Sequence, residues 1–400
     1  MVIINGGVTA PKGFTAAGTA CGIKKDEKKD LAIVCSEHTA TAAGVFTTNV
    51  VKGHSLQLTL EHIKDHCAKA VVVNSGNANA CIGEQGLKDA KEITALTADI
   101  LQCKPENILF NSTGVIGQAL DMDALRLGIP KAASSLSENG SCDAAQAILT
   151  TDLITKEIAV ELAINGEKVR IGGMAKGSGM IHPNMATMIG IVTTDANLPP
   201  LLLEKALKAA VKTSFNRVSV DGDTSVCDMV VMLANGAVAH TPIQSEEAAF
   251  KAFTEALSYV CLSLSKMIAQ DGEGATKLIE ICAQGAASEE DAYKIVCAVA
   301  KSPLVKTAIF GEDANWGRII TAVGYSGAGF DPNAVDISIG GLTVCKNGTA
   351  LPFDENKAKA ILEQKEVSIL IQLNEGCFSD RMFTCDFSYD YVKINGSYRS

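Results

Sequence analysis

A threonine that follows a segment of small and turn-forming residues is the first candidate for chemistry in this sequence. Residues 176–187 read KGSGMIHPNMAT, and the apolar run Ile189–Val192 follows. A threonine hydroxyl becomes a useful nucleophile when a base lies within hydrogen-bond reach, and a free α-amine on the same residue is such a base. An internal threonine gains that amine only when the preceding bond is cut. The segment is therefore a candidate for self-cleavage between Ala186 and Thr187.

The composition of this segment fits the chemistry of such a cut. The hydroxyl attacks the preceding carbonyl carbon, the acyl group moves from nitrogen to oxygen, and water releases it. That reaction requires a tight backbone with little side-chain bulk, which Gly177, Gly179 and Pro183 supply. The same residues also fit an ordinary loop that leads into a strand, because threonine favours strands. The residues alone leave both interpretations open.

The elements around this segment predict an α+β fold. Glu157–Ile171 alternates apolar and polar residues on both sides of Asn165-Gly166, which is typical of a hairpin with a type I′ turn. Leu201–Phe215 has the apolar spacing of an amphipathic helix, and Asp386–Ile394 alternates like a half-exposed strand. Helices and hairpins follow one another without a regular strand-helix-strand repeat, which favours α+β over a doubly wound parallel sheet.

The bulk composition indicates a globular protein and argues against several classes of partner. The 400 residues are 47% hydrophobic, and their net charge of −10 disfavours non-specific binding to nucleic acid or to an anionic membrane. No apolar run reaches the roughly 18 residues that cross a bilayer. No secretory signal or P-loop is visible, and none of the 13 cysteines has C-x-x-C spacing. We therefore expect a cytoplasmic protein with reduced thiols.

A family resemblance sharpens the interpretation of the cleavage segment. KGSGMIHPNMATM resembles the self-cleavage segment of the glutamate N-acetyltransferase family of arginine biosynthesis, also called ornithine acetyltransferases. Other segments resemble the family in the same order and cover essentially the whole chain. They are GVTAPKG (7–13), NSGNANA (74–80), STGVIG (112–117), TTD (150–152), DGDT (221–224), NWGR (315–318) and YRS (398–400).

The resemblance implies a role for individual residues. Thr187 is the implied nucleophile, and the Thr113 hydroxyl and the Gly114 backbone N–H form the implied oxyanion hole. The implied substrate contacts are Thr150, Lys176, Thr187, Glu273, Asn395 and Ser400. A lysine suits the carboxylate of an amino-acid substrate, and a glutamate suits an ammonium group or a moving proton. Thr151 is adjacent to Thr150, so the sequence does not decide which of the two contacts substrate.

The implied reaction moves an acetyl group from N2-acetyl-L-ornithine to L-glutamate through an acetyl-threonine, giving L-ornithine and N-acetyl-L-glutamate. It needs no metal or organic cofactor, and the sequence does not show whether acetyl-CoA is also a donor. The implied architecture is an α+β fold of the α-β-β-α type. Chains 1–186 (alpha) and 187–400 (beta) share one core, and two of each form a heterotetramer. An aminopeptidase or amidase with the same kind of nucleophile, and a non-enzymatic protein that binds small metabolites, are the alternatives.

Overall fold

The computed structural model describes residues 1–182 and 188–397, and the architecture below is that of these residues. The strands are β1 (Val2–Ile4), β2 (Phe14–Thr19), β3 (Leu31–Phe46), β4 (Cys67–Asn77), β5 (Ile108–Val115), β6 (Lys156–Ile164), β7 (Glu167–Lys176), β8 (Ile189–Thr194), β9 (Met229–Ala234), β10 (Leu278–Ala286), β11 (Asp336–Ile339), β12 (Leu342–Lys346), β13 (Thr349–Ala350), β14 (Glu366–Gln372) and β15 (Phe378–Cys385). The helices are α1 (His54–His62), α2 (Glu84–Ile100), α3 (Met122–Ser134), α4 (Ser141–Ala147), α5 (Pro200–Lys212), α6 (Ala248–Gln270), α7 (Glu289–Lys301), α8 (Pro303–Phe310), α9 (Trp316–Gly324), α10 (Glu355–Leu362) and α11 (Tyr389–Ser397).

The larger sheet combines strands from both sides of the predicted cleavage point. In the described part of the chain its order is β1-β6-β7-β8-β9-β3-β4-β5, and β2 pairs with β3. The strand β8 is antiparallel to β7 and parallel to β9, and β9 is antiparallel to β3. Two strands that follow residue 187 therefore lie between strands that precede it.

Helices cover the larger sheet through alternating strand residues. Neighbouring residues of β8 belong to different apolar cores because side chains alternate across a strand. Val192 packs in a core with residues of α5 and α6, whereas Ile191 packs in a core with residues of α4. The strands β3, β4 and β5 add a third core with α2 and α3.

The smaller sheet lies in the second half of the chain and has its own core. Its order within the described residues is β13-β12-β11-β14-β10-β15, with β10 and β14 parallel. Its apolar residues pack against α7, α9 and α10. The long helix α6 contacts β6 and β7 of the larger sheet and β10 and β15 of the smaller one. Helices and sheets thus form layers, and the predicted layered α+β fold is confirmed.

Local sequence signals explain several of these elements. The β6–β7 hairpin turns at Asn165 and Gly166, whose φ angles of 49° and 87° are those of a type I′ turn. The helix α7 begins after Ser288, whose hydroxyl accepts a hydrogen bond from the Asp291 backbone N–H at 3.0 Å. None of the helices in the described part of the chain is long and apolar enough to cross a membrane.

One predicted element is wrong. The residues of Asp386–Ile394 were predicted as a strand, but α11 begins at Tyr389 and the last strand, β15, ends at Cys385. A short alternating run does not distinguish a strand from a helix end, and tertiary contacts decide the outcome. Here Tyr391 stacks on Phe387 with ring centroids 4.6 Å apart, which holds the first turn of the helix against the preceding loop.

Candidate active site

A cleft between the two halves of the described chain collects most of the sequence-predicted site residues. The cleft is partly open to solvent, and its empty volume, which includes that open part, is about 590 Å³. The predicted residues that line it are Thr113, Gly114, Thr150, Lys176, Glu273 and Asn395. Ala186, Thr187 and Ser400, which were also predicted as site residues, lie outside the described residues. The structure therefore brings together all the predicted residues that it describes.

Thr113 and Gly114 reach the cleft because two strands run in parallel to their ends. In the register of β4 and β5, Gly76 lies opposite Gly114. Gly114 has a φ of 130°, and a Cβ there would overlap the Gly76 carbonyl carbon, so only glycine fits. The Thr113 hydroxyl has no hydrogen-bond partner among the described residues, which leaves it available to a ligand in the cleft.

Lys176 ends β7 and projects a buried ammonium group into the cleft. Its side chain is 3% exposed, and Nζ donates to Thr150 Oγ1 at 2.7 Å. Because the Thr150 oxygen accepts from the lysine, its own O–H is available to donate to a bound group. Thr151 lines the same cleft, but the lysine contact is made by Thr150.

A buried carboxylate holds Lys176 in place. Asp152 Oδ2 lies 3.6 Å from Lys176 Nζ, and Oδ1 accepts from the Gly177 backbone N–H at 2.6 Å. Burial alone would raise the pKa of Asp152, but the ammonium groups of Lys176 and Lys156 hold it below its usual range. Asp152 is therefore ionised, and it supplies the counter-charge that a buried lysine requires.

The same carboxylate belongs to an ion-pair group that the sequence did not reveal. Lys156 is fully buried and donates to Asp152 at 2.8 Å and to Asp271 at 2.6 Å. Asp271 follows the last residue of α6 and also accepts from the Leu153 backbone N–H at 3.0 Å. This group ties the Thr150 loop to the end of α6, and so it fixes one wall of the cleft.

Glu273 brings the opposite charge into the cleft. Its side chain is 7% exposed, and Oε2 accepts from Asn395 Nδ2 at 2.8 Å, which ties α11 to the cleft. Its backbone N–H donates to the Ser178 carbonyl at 2.9 Å. A Cβ at Gly179 would overlap the Glu273 carboxylate, so the glycine leaves room for that group. An acidic and a basic side chain in one cleft suit a ligand with both an ammonium and a carboxylate group.

A half-buried aspartate holds the middle of the predicted cleavage segment. Asp221 accepts hydrogen bonds from the backbone N–H groups of Met180 and Ile181 at 2.6 and 3.0 Å. Burial raises the pKa of Asp221 to about 6, against the opposing effect of these donors. The DGDT segment, which the sequence marked only by resemblance, therefore supports the position of residues 180–181.

Other lining residues were not predicted as site residues. They are Ala78, Ile116, Thr151, Gly179, Met180, Ser225, Val226 and Cys227. The available signal was that they lie within quoted segments (NSGNANA, STGVIG, TTD and KGSGMIHPNMATM) or directly after DGDT. Burial raises the pKa of the Cys227 thiol to about 12, so this thiol remains protonated near neutral pH. A thiolate nucleophile, as in cysteine hydrolases, does not fit at this position.

Comparison with known sequences gives consistent matches over the whole chain. The model of the ArgJ family matches residues 15–400. The arginine biosynthesis bifunctional protein ArgJ of Symbiobacterium thermophilum is 52% identical over 397 residues, which are 99% of this chain and 99% of that protein. The protein of the same name from Caldanaerobacter subterraneus subsp. tengcongensis is 49% identical over 404 residues, with 100% of both chains covered.

Solved structures give shorter matches. The crystal structure of the arginine biosynthesis bifunctional protein argJ from Bacillus halodurans has 44% sequence identity and a TM-score of 0.51. The match covers 52% of this chain and 98% of that chain. The ornithine acetyltransferase of Mycobacterium tuberculosis, complexed with ornithine, has 36% identity, a TM-score of 0.43 and a match to 46% of this chain and 97% of that chain.

Proposed function

The chain belongs to the ArgJ family, and on that premise we propose that it is an acyltransferase that moves the acetyl group of N2-acetyl-L-ornithine to L-glutamate. Relatives about 50% identical over their whole length carry the name of an arginine biosynthesis bifunctional protein. The observation that carries the proposal is the cleft itself, in which Lys176 and Glu273 lie together with Thr113 and Gly114. The opposite charges of Lys176 and Glu273 suit amino-acid substrates. The Thr113 hydroxyl and the Gly114 backbone N–H suit an oxyanion that forms in the transition state.

The first half of the proposed reaction loads the enzyme. The Thr187 hydroxyl oxygen attacks the acetyl carbonyl carbon of acetylornithine, and the hydroxyl proton passes to the α-amine of Thr187. The Thr113 hydroxyl and the Gly114 N–H donate to the tetrahedral oxyanion. The bond from carbon to the ornithine nitrogen then breaks, the proton goes to that nitrogen, and ornithine leaves an acetyl ester on Thr187.

The second half returns the enzyme to its starting state. The amine of glutamate attacks the ester carbon, its proton passes to the Thr187 α-amine and then to the departing threonine oxygen, and N-acetylglutamate leaves. In this proposal Lys176 and the Thr150 hydroxyl hold a substrate carboxylate, while Glu273 and Asn395 hold an amine. Because both substrates are α-amino acids that use one acyl carrier in turn, the kinetics are ping-pong.

The α-amine in this scheme comes from a proposed self-cleavage between Ala186 and Thr187. It divides the protein into chains 1–186 and 187–400, which we propose assemble as a tetramer with two of each. The length of the solved Bacillus halodurans chain supports the cut, since a chain matched over 98% of itself covers only 52% of this one. Such a length is expected of one product of a cut near the middle.

The mass of the purified protein tests the cut. We expect two polypeptides of about 19 and about 22 kDa, in proportion to their share of a 41.8 kDa chain, and the larger one should begin Thr-Met-Ile-Gly. Thr187→Ala should give one uncut chain without activity, whereas Thr187→Ser keeps a hydroxyl and should still be cut. A fully active preparation that contains only the intact chain would exclude this route to the nucleophile.

An assay of acetylornithine with and without glutamate tests the reaction. Ornithine release by a transferase should depend strongly on glutamate, with N-acetylglutamate formed in equal amount. Equal release without glutamate would identify a hydrolase instead, and binding without any turnover would identify a metabolite-binding protein. Replacing acetylornithine by acetyl-CoA in the same assay shows whether a second donor is used.

A further inference from the structure

A buried aspartate lies at the C-terminal end of the predicted cleavage segment. Asp228 directly precedes β9, its side chain is 0% exposed, and its Oδ1 accepts a hydrogen bond from the Met188 backbone N–H at 2.9 Å. The Met188 carbonyl accepts from the Met229 backbone N–H at 3.1 Å. Both polar groups of the Met188 backbone are therefore held by residues 228 and 229, just before β8 and β9 begin to pair.

The carboxyl group of Asp228 is only partly satisfied by hydrogen bonds with the described residues. Burial raises the pKa of Asp228 well above its usual value, against the opposing effects of the Met188 N–H, Lys176 and the Thr47 hydroxyl. Its second oxygen, Oδ2, is buried and makes no hydrogen bond with the described residues. Burying a carboxyl group costs free energy, and an apolar side chain would fill the same space without that cost. The proposed reaction steps do not use this carboxyl group.

The peptide bond between residue 187 and Met188 connects the hydrogen bond of Asp228 to the predicted nucleophile. The Met188 nitrogen is bonded to the carbonyl carbon of residue 187, and the peptide group that joins them is planar. A hydrogen bond that fixes the Met188 N–H therefore restricts the orientation of this peptide plane. Ser225 and Cys227, just before Asp228, line the cleft, so the hydrogen bond is made at the edge of the candidate site.

We propose that Asp228 is a positioning residue that holds Met188 by its backbone N–H and thereby aligns residue 187 for both the self-cleavage and the acetyl transfer. The inference rests on the proposed function, because it assigns the alignment to the nucleophile named there. Asp228 acts through Met188 and not by contact with substrate. Its Oδ1 lone pair is the feature that matters, so an amide oxygen in the same position should replace it.

The chain offers a matched control at the opposite end of the same strand. Asp195 directly follows β8, is 1% exposed, and accepts hydrogen bonds from the backbone N–H groups of Lys12 and Arg170 at 2.9 and 2.7 Å. Burial raises the pKa of Asp195 too. Asp195 is thus a buried carboxyl group that supports β8 through backbone donors, but it does not line the cleft.

The test compares Asp228→Ala, Asp228→Asn and Asp195→Ala in the full-length protein. The rate of cutting is followed by intact mass, and kcat and KM are measured on the folded, cut fraction. We expect Asp228→Ala to slow the cut by about 10-fold or more and to lower kcat by a similar factor with little change in KM, as for loss of a hydrogen bond to a buried donor. Asp228→Asn should stay within about 3-fold of the wild type, because its amide oxygen still accepts from Met188.

The control variant separates alignment from stability. Asp195→Ala should lower the melting temperature but leave the cutting rate and kcat unchanged, since a purely structural loss reduces the folded amount and not the turnover of folded molecules. If Asp228→Ala does not fold, Asp228→Ser gives the same comparison, because its shorter side chain does not span the distance to Met188.

Three results would overturn the inference. They are an Asp228→Ala protein that is cut and turns over at the wild-type rate, an Asp195→Ala protein that loses the same activity, and an Asp228→Asn protein as impaired as the alanine variant. The last result would assign the role to the carboxyl proton. Failure of the proposed function is distinguishable, because then the wild-type protein itself would remain uncut or would not transfer acetyl groups.

Discussion

Lys176 and Glu273 carry opposite charges into one cleft, and each is fixed by its own partner. Lys176 Nζ lies between Thr150 and Asp152, while the Glu273 carboxylate accepts from Asn395. Side chains fixed in this way lose little conformational freedom when a ligand binds, so less of the binding energy is lost to ordering. Preorganised charges are also the kind that stabilise a transition state most.

Thr113→Ala tests the proposed oxyanion hole at the level of one hydroxyl. We expect kcat to fall about 10²-fold or more, because such a donor contributes on the order of 2.7–4 kcal/mol to transition-state stabilisation. KM for acetylornithine should change little, since the donor acts on charge that develops only in the transition state. Steady-state kinetics of the cut protein measure both constants.

A threonine outside the cleft gives the control for this variant. Thr97 is buried in α2, and its hydroxyl donates to the Ile93 carbonyl at 2.8 Å. Thr97→Ala removes a buried hydroxyl of the same kind, and kcat should not change. An unchanged kcat in Thr113→Ala as well would remove Thr113 from the catalytic group.

At the residue level, the positions that a local motif marked in the sequence lie together in the structure. Thr113, Lys176 and Glu273 all line the cleft, although their roles stay predictions. Asp228 and Lys156 were missed because their significance depends on partners far away in sequence, as Met188 is 40 positions from Asp228. A single polar residue before an apolar strand gives no indication of such a partner.

At the level of elements, those that adjacent residues encode were predicted correctly, and one that depends on distant contacts was not. The β6–β7 hairpin was predicted because its Asn-Gly turn is encoded by two adjacent residues. The helix α11 was predicted as a strand because its stability comes from contacts outside the segment, including the bond between Asn395 and Glu273. Without those contacts the sequence of this segment favours neither state.

The loop before the predicted cut should make the stability of the protein depend on pH. The pKa of Asp221 is about 6 in the folded protein and about 3.9 in an unfolded chain. Between these values the folded protein keeps a proton that the unfolded chain has lost, so this contribution to stability is complete below pH ~4 and is lost as the pH rises through about 6. The loss is on the order of 3 kcal/mol, from about 1.4 kcal/mol per pKa unit.

Asp221→Asn removes this titration and tests the prediction. The variant lacks one acceptor for the Met180 and Ile181 N–H groups, which lowers its stability by an amount that does not depend on pH. The difference in unfolding free energy between the wild type and the variant should shrink from pH 4 to pH 7 in urea titrations. A constant difference over this range would mean that Asp221 titrates normally in the folded protein.

For the whole molecule, the order of the larger sheet predicts that cut chains stay together. The strand β8 pairs with β7, and β9 pairs with β3, so two strands of the second chain lie between strands of the first. Ile171 and Val192, from the two sides of the cut, also share an apolar core. Separation would expose this core and four strand edges.

Native and denaturing separations test this prediction. In size-exclusion chromatography the cut protein should elute as one species at the volume of the uncut Thr187→Ala protein. A denaturing gel of the same peak should resolve two bands. Elution of either fragment alone, without denaturant, would contradict the shared core that was predicted for chains 1–186 and 187–400.

The position of β8 and β9 in the sheet also determines which strand edges of the nascent chain stay unpaired during synthesis. The strand β7 is complete at Lys176, but β9, which completes the space between β7 and β3, ends at Ala234. At a translation rate of 5–20 residues per second, the intervening segment takes about 3 to 12 s to make. Throughout that interval the nascent chain presents two unpaired strand edges, which are sites of aggregation. The larger sheet can close only after β9 has been made, although its flanking strands β3 and β7 are complete much earlier.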